Sequence, residues 1–118
     1  MPARIIVARE LAETFRAVAH EVRIRIVEEL AHGDHGELDV HSLVEILDVA
    51  QPTVSQHLSV LRHAKLVKQR RSGRSVHYSL RNPELAHWLL GALRFLDSHS
   101  RDAEELSRAV EDVRRVWR

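Results

Sequence analysis

The sequence predicts a mainly α-helical protein with one small β-hairpin, an α+β arrangement of five to six helices. Three observations predict it. Apolar residues recur at helical spacing along most of the chain. Between Ser75 and Leu80 the spacing switches to a period of two, next to a turn that contains glycine. From Val49 to Asn82 there is no Asp or Glu, yet seven of the 18 basic residues lie there. The overall net charge of +1 hides this basic sector. Such a sector is what a polyanion-binding surface requires, although a charge run can also be a solvated face.

A chain of 118 residues is expected to form one domain, 1–118, large enough to bury a core without staples. It has no cysteine, which excludes disulfides, thiolate metal sites and a cysteine nucleophile. The only apolar run near the start, Ile5-Ile6-Val7-Ala8, ends at Arg9-Glu10 and is too short for the core of a signal peptide. No stretch reaches the roughly 18 apolar residues of a membrane span. A soluble, cytoplasmic protein with no membrane partner is the expectation.

In chain order, Leu11, Phe15 and Val18 predict a helix from about Val7 to Ala19. Val22, Ile26, Val27 and Leu30 predict a second, from Glu21 to His32, with Gly33 as a left-handed cap. Leu38-Asp39-Val40 reads as a short strand or as the entry to the next helix. A short helix, His41 to Leu47, turns its Leu43, Val44 and Leu47 inward. After the tight connection Asp48-Val49-Ala50, Pro52 marks the first turn of another helix, which runs to about His63. Val54, Leu58 and Leu61 form its buried stripe, and Thr53, Ser55, Gln56, Ser59 and Arg62 its open face. Two short helices joined this tightly are a helix-turn-helix, about 41–63.

The hairpin, about 66–80, has Ser72-Gly73-Arg74 at its tip, with Arg70 and Arg71 beside it. Asn82-Pro83-Glu84 then starts a helix that runs to about Ser98. Its apolar residues, among them Trp88, Leu89, Phe95 and Leu96, cover more than one face, which predicts burial by a partner subunit. The last helix, about 102–117, carries the stripe Leu106, Val110, Val113 and Trp117 and is expected to pack on the first helix or across a dimer.

This order of elements, with Gln51-Pro52-Thr53-Val54-Ser55-Gln56-His57-Leu58, resembles the ArsR/SmtB family of repressors. The likeness extends to Val22-Arg23-Ile24-Arg25-Ile26-Val27, Ser72-Gly73-Arg74 and Tyr78, and covers roughly residues 8–98. It implies a winged helix-turn-helix fold and a homodimer, with dimerisation helices at about 8–19 and 83–98. It also implies binding to an operator in duplex DNA, an imperfect inverted repeat, with release on binding a metal or another effector.

In such a complex the second helix of the pair enters the major groove, where polar side chains meet base edges. The resemblance points to Gln51, Thr53, Ser55 and Gln56 as the usual contact set, and glutamine can pair bidentately with adenine. His57 can reach a base or pack beside Leu58, and Ser59 shares the open face. Arg62, Lys68, Arg70, Arg71 and Arg74 are expected to meet phosphates, which position a protein without reading sequence.

The cofactor stays open, with a transition-metal ion such as zinc or nickel as the candidate. Nine histidines supply possible donors, although a single histidine is more often an ordinary surface residue. The family's arsenic and cadmium sensors carry C-x-C at the start of the third helix. The matching positions are Asp39 and His41, which would need further ligands, with His35 one option. The zinc-type site of the family maps to Asn82, Glu84, Phe95 and Ser98, where only Glu84 is a credible ligand. His87 and His99 lie nearby in sequence.

An enzyme is not expected, for there is no Gly-rich phosphate loop, G-x-S-x-G or H-E-x-x-H. The function expected is sequence-specific transcriptional repression relieved by an effector. The alternative is a regulator with no metal response, acting as an activator or through protein contacts.

Overall fold

A computed structural model describes residues 2–99 and 103–117. Where the sequence suggested a single domain, the chain gathers into two compact units, Met1–Asn82 and Pro83–Arg118.

In the first unit α1 spans Ala3–Val18, α2 Glu21–His32, α3 Val40–Leu47 and α4 Gln51–His63, with strands β1 Glu37–Asp39, β2 Val67–Ser72 and β3 Ser75–Leu80. A 3-10 turn, Asp34–Gly36, leads into β1. The helix starts have local causes. The His20 imidazole accepts a hydrogen bond from the Val22 amide at 3.1 Å, and the Asp39 carboxylate accepts from the Ser42 amide at 2.7 Å. Each side chain satisfies one of the amide groups that a helix start leaves without a partner. Leu38-Asp39-Val40 thus serves in both of its expected ways, as the end of a strand and as the entry to α3.

The core of this unit is built on Ile26, Val27 and Leu30 of α2, Leu43 and Leu47 of α3, and Val54, Leu58 and Leu61 of α4. Val67 and Leu80, paired at the base of the hairpin, close it from the sheet side. The sheet is antiparallel with strand order β1-β3-β2, so the expected hairpin gains a third strand. With neighbours on both edges, β3 is half-buried through Val76–Ser79 rather than alternating cleanly.

Two expectations need correction here. Gly33 is extended, with φ −63° and ψ 155°, not left-handed. A Cβ there would lie 2.7 Å from the Glu37 carbonyl oxygen, so close backbone approach is what demands glycine. The stripe of α1 is helical as expected, and four residues longer at its start. Yet Leu11 and Phe15 remain 48% and 43% exposed, and only Ala17 and Val18 of this helix are buried.

In the second unit α5 spans Glu84–His99 and α6 Ala103–Trp117. The two pack on each other, where the sequence suggested the first helix or a second subunit as the partner of α6. Leu89, Leu93 and Val110 are buried. Leu106 and Val113 are half-buried, and the Trp117 side chain and Asp102 lie outside the described residues. Phe95 is 70% exposed, and Trp88 and Leu96 are exposed as well.

Candidate nucleic-acid interface

Three devices hold α4 in place. The turn before it is made by Asp48, whose backbone is left-handed (φ 54°, ψ 47°) and whose amide donates to the Val44 carbonyl at 3.0 Å. Aspartate tolerates this conformation better than most residues. Arg25 of α2 donates to the Leu47 carbonyl at 3.3 Å, pinning the end of α3. Behind α4, the Leu66 amide donates to the Leu61 carbonyl and the Lys65 amide to the Arg62 carbonyl, both at 3.0 Å, with Lys65 left-handed at φ 61°. This pair of bonds is a Schellman closure, which ends the helix and directs the chain into β2.

At the start of α4 the Ala50 carbonyl accepts from the Thr53 and Val54 amides at 3.0 and 3.1 Å. Ala50 offers no capping side chain, and Pro52 has no amide to satisfy. With Val54, Leu58 and Leu61 fully buried, the helical period puts Gln51, Thr53, Ser55, Gln56, Ser59 and Arg62 on exposed surface. Gln51, Thr53, Ser55, Gln56 and Arg62 have no side-chain hydrogen-bond or ion-pair partner among the described residues. Ser59 lies 3.4 Å from His63 Nδ1, a nitrogen that also sits 2.8 Å from the Ser59 carbonyl.

His57 differs from this set. It is half-buried, and its ring lies on His20 with centroids 4.3 Å apart, tilted by 44°. Burial, helped by the neighbouring His20 and Arg23, pushes its pKa below the ordinary histidine value. Of the two roles open to it, the packing role is the one observed. On the helix it sits at the flank that faces α2, which removes it from the exposed face.

The hairpin turns through Gly73, at φ 60°, and Arg74, with Ser72 opposite Ser75. Lys68, Arg71 and Arg74 are exposed and make no side-chain hydrogen bond or ion pair among the described residues. Arg70 is also exposed but is engaged. Its Nε and Nη2 donate to the two carboxylate oxygens of Glu37 at 3.0 and 2.9 Å. Arg70 pairs with His77 and Glu37 with Ser79, so the two meet diagonally across β3 on one face of the sheet. The Arg70 hydrogen bonds hold the Glu37 carboxyl below its usual range, with smaller help from the His77 and Lys68 charges. Arg70, where a phosphate contact was expected, thus also forms a strand-to-strand clamp.

The expected metal pair does not fit a metal. Asp39 caps α3, and the Ser42 hydrogen bonds, side-chain and backbone, hold its carboxyl below the usual range. His41 Nε2 lies 3.1 Å from Glu45 Oε1 on the same helix. His35 lies 3.9 Å from Asp34, both almost fully exposed. On α5, Glu84 and His87 approach to 3.8 Å, Phe95 offers no donor, and the Ser98 and His99 side chains lie outside the described residues. Among the described residues no three His, Asp or Glu side chains gather as a metal site would require.

Sequence reasoning missed Glu37, Arg25 and His20. Glu37 carried one usable signal: it is an acid facing a basic hairpin across a strand, visible only once β1 is known to join that sheet.

Comparison with known proteins gives the same frame. Residues 20–69 match the family model "Bacterial regulatory protein, arsR family". The Escherichia coli (strain K12) arsenical resistance operon repressor is 36% identical over 98 residues, covering 83% of this chain and 79% of that protein. The chain belongs to the ArsR family. Another relative, the HTH-type transcriptional repressor SmtB of Mycobacterium tuberculosis, is 47% identical over 81 residues, 69% of this chain. The chain spans only 58% of that relative's length. Among solved structures, the homodimeric winged helix-turn-helix DNA-binding domain of a possible ArsR-family regulator from Mycobacterium bovis superposes with a TM-score of 0.70. It is 23% identical and covers 84% of this chain and 89% of that one, a likeness of fold. The fold and the relatives are those of transcriptional regulators, not enzymes. No helix among the described residues is long and apolar enough to cross a membrane.

Proposed function

We propose that this ArsR-family protein is a cytoplasmic transcriptional repressor that binds an inverted-repeat operator in duplex DNA as a homodimer and leaves it when an effector binds. The observation that carries the reading is the face of α4 on which Gln51, Thr53, Ser55, Gln56 and Arg62 have no side-chain partner among the described residues, beside a hairpin whose Arg71 and Arg74 have none there either. Buried or structural polar groups find partners within a fold, so an exposed run without them is available to a ligand. Gln51, Thr53, Ser55 and Gln56 carry no charge and suit base edges, where donor and acceptor pattern matters. Arg62, Lys68, Arg71 and Arg74 suit phosphates, where charge matters.

Dimerisation rests on exposed apolar residues in both helices expected to mediate it: Ile6, Leu11 and Phe15 on α1, and Trp88, Phe95 and Leu96 on α5. Several large apolar side chains exposed on one helix fit an interaction surface. Relatives named for arsenic resistance motivate an effector. The donors at Asp39 and His41 do not suit a metal, so the effector is assigned no site there.

Four free cations on each of two subunits give about eight neutralised phosphates, and log affinity should then fall against log salt with a slope of about −7. Selection of bound duplexes from a random pool, followed by a salt titration on the winner, tests this. A single enriched inverted repeat with that steep slope is expected. A slope near about −1, or no enrichment, would defeat groove binding.

A further inference from the structure

The stretch from Val49 to Asn82 carries no acid, yet the fold brings one to the basic hairpin. On the three strands the only carboxylates are Glu37 and Asp39 of β1. Asp39 caps α3 through the Ser42 amide. Glu37 has no such task beside its own strand. It reaches across β3 and accepts from both Nε and Nη2 of Arg70. Lys68 stands two residues from Arg70 on β2, so the two cations share one face of the sheet, about 7 Å apart along the strand. Lys68 makes no side-chain hydrogen bond or ion pair among the described residues, whereas Arg70 is neutralised.

Stability alone gives little reason for this pair. The Arg70 side chain is 56% exposed and that of Glu37 27%. An ion pair so open to water adds little to folding. What the pair does control is the availability of one guanidinium. The planar fork of arginine fits a phosphate in the same two-pronged way as a carboxylate. A phosphate that displaced Glu37 would gain one charge-assisted contact while another was lost. The released carboxylate would then stand beside it with the same sign of charge. Exchange therefore has no net driving force, and Arg70 stays with Glu37.

We propose that Glu37 is an intramolecular competitor of DNA phosphate: it occupies Arg70 and holds duplex affinity below what the cations of the hairpin would otherwise supply. This inference rests on the DNA-binding reading above and adds to it a residue whose task is to weaken binding.

Glu37→Gln keeps the length of the side chain and removes its charge, and paired urea midpoints check that the variant is folded. Retardation of the selected operator and of a random duplex, each across a salt series, reads the effect. The variant should bind both duplexes about tenfold more tightly at low salt, the gain expected of one added charge-assisted contact on each subunit. Its slope should steepen by about 2, one further phosphate on each of two subunits. Glu37 also carries a charge that repels DNA at a distance, so the same substitution is repeated in Arg70→Ala. There the gain should fall to about threefold or less, and the slope should not change. Unchanged or weaker binding by Glu37→Gln would overturn the inference and leave the clamp a device that positions the hairpin. Equal gains with and without Arg70 would overturn it too, leaving only a general effect of charge. The two readings fail differently. A chain that retards no duplex, with or without Glu37, sinks the repressor reading and this inference with it. A steep parental slope with no response to Glu37→Gln sinks the inference alone.

Discussion

Helix α4 and the hairpin present two different kinds of surface, although both lie within the acid-free stretch of the sequence. On α4 the exposed residues from Gln51 to Gln56 are uncharged and have no side-chain partner among the described residues, and the helix is fixed from behind by three fully buried residues. On the hairpin the exposed residues are arginines and a lysine, and one of them, Arg70, is bound to Glu37. The contrast teaches that charge alone does not mark a binding residue. Arg70 and Arg74 are four residues apart on one ribbon and both exposed, yet among the described residues only Arg70 has an ion-pair partner.

The largest expected effect sharpens the α4 side. Gln56→Ala removes a group suited to a base edge without touching the buried stripe. It should weaken binding to the selected operator by about 1–3 kcal/mol and leave random-sequence binding unchanged. Competition between operator and random duplex at one salt concentration reads the difference. Equal losses on both would mean that α4 does not read sequence, and the comparison with the hairpin would lose its basis.

A smaller effect sharpens the hairpin side. Arg74→Ala should reduce the salt slope by about 1 for each phosphate left without its cation, and weaken all duplexes alike. Arg70→Ala should leave the slope unchanged, because Glu37 already holds that guanidinium. Removal of Arg70 frees Glu37 on the same sheet face as Lys68, so any weakening it causes should be accompanied by a changed urea midpoint. If Arg70→Ala lowers the slope as Arg74→Ala does, the clamp opens on DNA and the distinction between them disappears.

Some of this is legible in the chain and some is not, for physical reasons. The α4 stripe Val54, Leu58 and Leu61, the Pro52 start and the period-two strand Ser75–Leu80 are local patterns, and local patterns survive in a sequence. Strand β1 is three residues long, too short for a period to show, so its pairing with β3 is hidden. The Arg70–Glu37 clamp depends on that pairing across 33 residues of chain. Leu11 and Phe15 do share one helical face, but spacing does not say whether a face is covered by the same chain or by another. The usual role of glycine at helix ends suggests a left-handed cap at Gly33, whereas Gly33 caps α2 in an extended conformation and the Glu37 carbonyl beside it is what demands glycine. The histidines show the same limit, for His20 and His57 meet in space with nothing in their sequence neighbourhoods to join them.

That histidine pair gives the smallest effect and the finest test of where the α4 reading face ends. His57 faces His20 and Arg23, and burial is the leading cause that depresses its pKa in the folded chain. In the unfolded chain it titrates near its ordinary 6.5. Above that pH both states hold it neutral, and it adds no pH dependence. As the pH falls through 6.5 the unfolded chain takes up a proton that the folded chain resists, so stability drops until the pH passes below the folded value. His57→Gln keeps a polar side chain at the flank and removes this proton. The stability difference between variant and parent should therefore shift in favour of the variant between about pH 8 and about pH 5.5, measured as paired urea midpoints. The Glu37–Arg70 pair is common to both proteins and cancels in the difference. A difference that stays flat across this range would mean His57 is not held against His20, and would return it to the exposed face of α4.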